Sequence, residues 1–183
     1  MNFISFPQLT TERLLLRKIV KEDADRVLFL RSDASITKYI QRKKPENIED
    51  ALAFITKITG QMNTGESVTW GIELIGKTTI IGSICLWNFS ENRKTAEVGY
   101  ELDPNYQQKG IMSEALQRVL NFGFNNLHLH KIEAFTHRNN INSKKLLAHH
   151  HFQWKQHRLD KDNTNNLIFE IKAHNYNQSN LNT

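Results

Sequence analysis

Residues 95–120, TAEVGYELDPNYQQKGIMSEALQRVL, constrain this chain more than any other stretch. An alternating apolar pattern runs into Gln107-Gln108-Lys109-Gly110-Ile111-Met112 and then at once into an amphipathic helical pattern. In the alternating part, Ala96, Val98, Tyr100 and Leu102 share one face of a strand, and Glu97, Gly99 and Glu101 share the other. The first N–H groups of a helix have no intrahelical acceptor, and the helix dipole adds partial positive charge there. A strand, a glycine-containing loop and a helix start therefore make a seat for an anion such as a pyrophosphate.

The anion is not expected to be a nucleic acid. Lys and Arg outnumber Asp and Glu by 24 to 19, a formal charge of +5. That balance suits an anionic ligand and equally well a basic surface, because net charge speaks to association and not to a site. Nucleic-acid binding needs clustered cations with reading or stacking groups, and here the runs are short, as in Gln41-Arg42-Lys43-Lys44. A length of 183 residues with 39% hydrophobic content is enough for one domain with a real core. The N-terminal MNFISFPQL lacks a basic leader, and no apolar run approaches the length of a membrane span, so the expected location is the cytoplasm. Cys85 is the single cysteine, which excludes an internal disulfide; in the run IIGSICLW it reads as a small core residue and not as a nucleophile.

Around the central stretch the pattern alternates between strands and helices. Residues 11–20 and, further on, 67–74, 78–88 and 95–103 read as strands, the Ile75-Gly76-Lys77 break fitting a hairpin. Helical spacing marks residues 21–31 and 47–62, the second with Ala51, Phe54, Ile55 and Ile58 as its apolar stripe. Residues 36–44 read as a connection. A helix over 112–127, a strand over 131–136, a short helix over 142–150 and strands over 153–157 and 166–174 complete the domain. Residues 175–183 are polar and read as a frayed tail. Consecutive strands from 67 to 103 favour antiparallel pairing, so the expected fold class is α+β, a mixed and mostly antiparallel central sheet flanked by helices in one domain over residues 9–174.

With these residues in view, the chain resembles the GNAT superfamily of N-acetyltransferases. Gln107-x-x-Gly110-x-Met112 is similar to the family's Gln/Arg-x-x-Gly-x-Gly/Ala signature between a central strand and a helix. The preceding AEVGYELDPNY, the following Ser113-Glu114-Ala115-Leu116 and the downstream Asn140-x-x-Ser143-x-x-Leu146-Leu147 strengthen the match. With the Arg13-Leu14-x-Leu16-Arg17 opening, the resemblance spans residues 9–174 and is nearest to the subgroup that acetylates the N-terminal serine or alanine of ribosomal proteins. Two positions depart from the pattern. Met112 stands where Gly or Ala is usual, and its side chain either crowds the pyrophosphate or points away. His151 stands where Gly precedes Phe152, which implies local strain or an altered helix cap.

The resemblance implies acetyl-CoA as cosubstrate and direct transfer to a primary amine. Backbone N–H groups of Gln108, Lys109, Gly110, Ile111, Met112 and Ser113 would hold the pyrophosphate, with Gln107 opening the turn and the Lys109 ammonium either adding charge or lying in solvent. The strand ending at Leu102 would part from its neighbour and offer its backbone to the pantetheine arm. Asn140 would bond that arm, or else serve as a turn residue. The amine must be neutral when it attacks, so a carboxylate base is needed. Glu97 is the first choice, against the alternative of a sheet-surface carboxylate paired with Lys or Arg; Glu101 is second. Many relatives protonate the leaving thiolate with a Tyr on the last helix, but none occurs between Tyr106 and Tyr176. Ser143 is the expected donor instead, against the alternative that it caps its helix.

Trp87 and Asn88, ending the strand beside Glu97, are expected to line the acceptor groove; otherwise Trp70, Trp87 and Trp154 read as sheet packing. His128-Leu129-His130 and His149-His150-His151 lack Cys or carboxylate partners at ligand spacing, so no metal is expected. The acceptor is expected to be a protein N-terminal α-amine, with a small amine (polyamine, amino acid or antibiotic) as the rival, and an acyl-CoA-binding module without turnover as a rival of another kind. Either a monomer or a homodimer fits.

Overall fold

The computed structural model describes residues 5–180. Eight strands form one sheet: β1 (Leu9–Thr10), β2 (Leu14–Lys18), β3 (Val68–Leu74), β4 (Ile80–Trp87), β5 (Thr95–Leu102), β6 (Lys131–His137), β7 (Gln153–Trp154) and β8 (Asn166–Lys172). Their order is β1-β2-β3-β4-β5-β6-β8-β7. Every neighbouring pair is antiparallel except β5 and β6, which run parallel. This is the mixed, mostly antiparallel α+β sheet that the run of consecutive strands implied.

Alternation assigns the two faces. Val68, Trp70 and Ile72 of β3 and Ile84 and Leu86 of β4 are fully buried with Ala96 of β5 on one face. Helix α4 (Ile111–Asn121) covers that face with Ile111, Met112, Ala115, Leu116, Val119 and Leu120. Leu147 of α5 (Ile141–His149) joins the same core. On the opposite face, α1 (Ala24–Ser32) and α3 (Ile48–Asn63) pack Val27, Leu30, Ala51 and Ile55 over Ile19 and Ile80. Asn47 starts α3 as an N-cap, its side chain accepting the Asp50 N–H at 3.0 Å.

Several boundaries differ from the sequence reading, each for a local reason. The connection over 36–44 begins inside a short helix, α2 (Ala34–Thr37), because Asp33 accepts the Ser35 and Ile36 N–H groups as a cap. The helix expected over 112–127 changes at Phe122 to a π turn, Phe122–Asn126. There Gly123 lies so close to β6 that a Cβ would stand 2.8 Å from Ile132 Cδ1. The strand expected over 153–157 keeps only Gln153–Trp154. The residues expected as a tail from 175 are helical to Asn180 in α6 (Ala173–Asn180), and Tyr176 is buried against Phe124; residues 181–183 lie outside the described residues. Trp70 is core, its Nε1–H donating to the Pro7 carbonyl at 2.7 Å. Trp87 and Trp154 are not core: they are 47% and 52% exposed, since each ends or edges the sheet where no helix covers it.

Candidate active site

The functional geometry begins where two strands separate. β5 and β6 pair over only three positions, Thr95 with Lys131, Ala96 with Ile132 and Glu97 with Glu133. Beyond Glu97, β5 stays paired to β4 and β6 stays paired to β8, so the gap between them widens. Residues 98–102 thus offer one edge of backbone N–H and C=O groups to the gap. Such groups need a partner, and an extended amide-bearing chain supplies one.

The loop after β5 closes one end of this gap. Gln107 donates its side-chain amide to the Leu102 carbonyl at 2.9 Å, which pins the loop to the strand end. Gln108 and Gly110 both have left-handed backbone, with φ of 59° and 75°. Gly110 stands at the N-cap of α4 without a side chain to cap it, leaving the first N–H groups of the helix open to an anion. A Cβ at Gly110 would meet Arg13 Nη2 at 3.4 Å. Arg13 braces the turn from below: it bonds Glu114 in the first turn of α4 at 2.6 Å and the Lys109 carbonyl at 3.2 Å. Against the upward push of burial, the hydrogen bond from the Thr11 hydroxyl and then those from Arg13 hold the Glu114 carboxyl below the usual range. In the sequence Arg13 reads only as part of an opening motif, because 96 residues separate it from Lys109 and no local pattern spans that distance.

Met112 does not crowd the turn. It is 9% exposed and belongs to the core under α4, so its side chain leaves the turn open. The Lys109 ammonium turns away to the Asn105 carbonyl at 2.7 Å. Ser113 offers its hydroxyl to His150 Nε2 at 2.8 Å, and His150 Nδ1 meets Gln117 Oε1 at 3.1 Å. Burial, with the neighbouring His149 and His151, lowers the His150 pKa to about 4. His151 is left-handed, with φ of 61°, and the N–H groups of His151 and Phe152 return to the carbonyls of Ala148 and Leu147. That is the cap a glycine normally makes.

Across the gap stands α5. Asn140, not Ser143, caps it: the Asn140 side chain accepts the Ser143 N–H at 3.1 Å. Ser143 is therefore free of the capping role, and its Oγ lies 2.8 Å from the hydroxyl of Tyr100. Tyr100 comes from β5, in the stretch that has parted from β6. Helix α5 carries no Tyr, yet a tyrosine hydroxyl stands beside it, because the strand delivers one from 43 residues away. Burial raises the Tyr100 pKa to about 12, so the hydroxyl stays protonated at neutral pH.

Glu97 sits on the other face of β5, at the point of separation. Asn88 Nδ2 donates to Glu97 Oε1 at 2.5 Å. Asn88 adopts a left-handed backbone, φ 47°, at the end of β4. Glu97 makes no ion pair among the described residues, and burial raises its carboxyl above the ordinary range despite the Asn88 bond. Glu101 is different: it is buried, tied to Arg42 Nη2 at 2.6 Å and to Ser83 Oγ at 3.1 Å. Between the two carboxylates, Gly99 leaves the floor open, since a Cβ there would be 3.2 Å from Cys85 Sγ and 3.7 Å from Trp87 Nε1. Burial pushes the Cys85 thiol up to about 12, which makes it a poor nucleophile. One cleft of about 1620 Å³ runs from the Gln108–Gly110 turn past Tyr100 and Ser143 to Glu97 and Trp87.

Known proteins share this architecture. The family model described as the acetyltransferase (GNAT) domain matches residues 13–153. The uncharacterized N-acetyltransferase YoaA of Bacillus subtilis (strain 168) is 32% identical over 148 residues, covering 81% of this chain and 84% of its own length. The structure of a GNAT-family acetyltransferase from Bacillus anthracis superposes with a TM-score of 0.77 at 26% identity, over 91% of this chain and 99% of that one. The ribosomal-protein-S5-alanine acetyltransferase of Vibrio fischeri shares the fold, with a TM-score of 0.76 at 20% identity over 92% and 98% of the two chains. The parted strands and the glycine-started helix thus have a family to which they belong: this chain is a member of the GNAT acetyltransferases, and its reaction is N-acetyl transfer.

Proposed function

We propose that the chain transfers an acetyl group from acetyl-CoA directly to the α-amine at the N-terminus of a protein or peptide. The observation that carries this reading is the separation of β5 from β6 immediately after Glu97, with a carboxylate on one face and a hydroxyl pair on the other. The cosubstrate supplies an activated acyl thioester. Backbone N–H groups from Gln108 to Ser113 would hold its pyrophosphate, and residues 98–102 with the Asn140 side-chain amide would line its pantetheine arm.

Glu97 accepts a proton from the acceptor ammonium, directly or through one water, and so presents a neutral amine. Its raised carboxyl is a stronger base than an ordinary glutamate and loses less driving force in that transfer. Asn88 fixes the orientation of the carboxylate. A backbone N–H of the parted strand polarises the carbonyl oxygen. Tyr100 donates to Ser143, and Ser143 donates to the sulfur as the carbon–sulfur bond breaks. The amide keeps one of the two hydrogens left on nitrogen, the other passes through water to the Tyr100–Ser143 pair and replaces the proton given to the sulfur, and Glu97 returns its proton to solvent.

The peptide acceptor rests on the open cleft, where Trp87 is half exposed beside Glu97, and on the shared fold with the Vibrio fischeri enzyme. A peptide beginning with Ala or Ser, incubated with acetyl-CoA, is expected to gain one acetyl group at its α-amine, read by tandem mass spectrometry. The same peptide with a blocked N-terminus and an internal Lys is expected to gain none. Acetylation of the Lys side chain alone would refute the α-amine assignment. Thermal shift with CoA, acetyl-CoA and ATP in parallel checks the pyrophosphate turn: both CoA forms should stabilise the protein and ATP should not.

A further inference from the structure

On the face of the sheet that carries Glu97, the deep wall of the cleft is basic and its donors are not all met. Arg31, from α1, lies over the Phe54 ring with Cζ 3.6 Å from the centroid, and makes no hydrogen bond or ion pair among the described residues. Arg42 gives Nη2 to Glu101, but its Nε is buried without a partner. Glu101 is already occupied by Arg42 and by the Ser83 hydroxyl. All of these residues line the same cleft. Two guanidinium groups therefore face one carboxylate, and the excess positive charge is felt: burial, then repulsion from Arg42, lowers the Arg31 pKa to about 10.

Acetyl transfer to a bare amine has no use for this wall. An acceptor amine enters as a cation, so two arginines would repel it, and a polyamine more strongly. A buried guanidinium nitrogen without a partner, as at Arg42 Nε, is costly, and a carboxylate or phosphate meets guanidinium donors in fork geometry. We infer that Arg31 and Arg42 form an anion subsite for the acceptor, so that the preferred substrate carries a carboxylate or phosphate at a set distance from its amine. The inference rests on the proposed role of Glu97 as the point where the amine is received.

The register gives the distance. Glu97, Gly99 and Glu101 follow one another on the same face of β5, opposite Trp87, Cys85 and Ser83. At about 3.3 Å per residue, Gly99 lies about 7 Å and Glu101 about 13 Å beyond Glu97. An α-amino acid is too short to reach from one to the other, because its amine and carboxylate share one carbon. A peptide with an acidic second or third residue spans the interval, as does a phosphorylated amine of similar length. The absence of a side chain at Gly99 leaves the path between them clear.

The test is equilibrium binding to the CoA-loaded protein, by calorimetry, of two matched pairs. One pair is the peptide amides Ser-Glu-Glu-Ala and Ser-Gln-Gln-Ala; the other is glucosamine 6-phosphate and glucosamine. The anionic member of at least one pair should bind about tenfold more tightly, and Arg31→Gln should bring the ratio near one. Arg31→Lys keeps the charge without the fork and should retain only part of the preference, which separates charge from guanidinium geometry. Preference in the peptide pair identifies an acidic N-terminus, and preference in the sugar pair alone identifies a phosphorylated amine. Equal binding within both pairs, or a ratio untouched by Arg31→Gln, overturns the subsite whichever amine is acetylated. Binding with charge preference but no acetyl transfer to either probe would instead overturn the proposed acceptor, and leave the anion subsite in place.

Discussion

The hydroxyl of Tyr100, on a strand that has parted from its neighbour, lies 2.8 Å from the hydroxyl of Ser143 on a helix that Asn140 caps. Because the cap is supplied by Asn140, the Ser143 oxygen has no structural duty in its own helix. Because Tyr100 is protonated, either hydroxyl can donate to the other, and in the proposed step Tyr100 strengthens Ser143 as a donor.

If the two hydroxyls act in series, their losses should not add. Tyr100→Phe is expected to lower kcat about tenfold and Ser143→Ala about 100-fold, within the usual range for one proton-handling group. The double variant should be no slower than Ser143→Ala, and CoA affinity should hold in all three. Steady-state kinetics with calorimetric CoA binding decides this; multiplicative losses would mean that the hydroxyls act separately.

Glu97→Gln should cost about 100-fold in kcat at neutral pH, since it keeps the acceptor oxygen for Asn88 and removes the base. The rising limb of the pH–rate profile should disappear with it. The effect on stability has the opposite sign. A raised carboxyl pKa means that the folded state keeps the proton longer than the unfolded chain, so stability is lost as pH rises from the unfolded value of about 4.3 through the folded one. The variant should therefore melt higher than the parent at pH 7 and not at pH 3. A lower Tm at pH 7 would contradict the burial argument.

His150 predicts loss of stability on acidification. Its folded pKa of about 4 is depressed below the unfolded value of about 6.5, so the unfolded chain binds the extra proton first. The stability it contributes is complete above pH 6.5 and is lost as pH falls toward 4, to the extent of about 2 kcal/mol after allowance for partial solvent screening. Urea unfolding from pH 4 to 7 should show a steeper slope for the parent than for His150→Gln. Parallel slopes would assign the loss to other groups.

The two arginines of the Arg-Leu-x-Leu-Arg opening should behave differently. Arg17 is 17% exposed in its side chain and holds Asp23 at 2.7 Å and Glu73 at 2.6 Å, both buried. Arg17→Met strands two carboxylates and should cost about 3–5 kcal/mol of stability. Arg13, 49% exposed, should cost less than about 1 kcal/mol as Met, yet weaken CoA because it braces the turn at Lys109 and Glu114. Chemical denaturation and CoA titration of both variants would expose any reversal of this order.

The alternation of β5 alone places Glu97 and Tyr100 on opposite faces, and Gly110 alone marks the left-handed start of α4. The antiparallel run of β3 to β5, the glycine-started turn and the strained His151 are all local properties, written in spacing and in residue type. What the tertiary structure decides is contact at long range. Met112 turns into the core because the amphipathic face of α4 has to be buried. Arg13 reaches the turn, Tyr100 reaches Ser143, Arg42 reaches Glu101 and Arg31 reaches the Phe54 ring. Each of these contacts at the turn and in the cleft joins residues on different elements, and periodicity and propensity act only over a few neighbours. The packing of the sheet against its two helical layers brings them within reach of one another, and no local pattern encodes that distance.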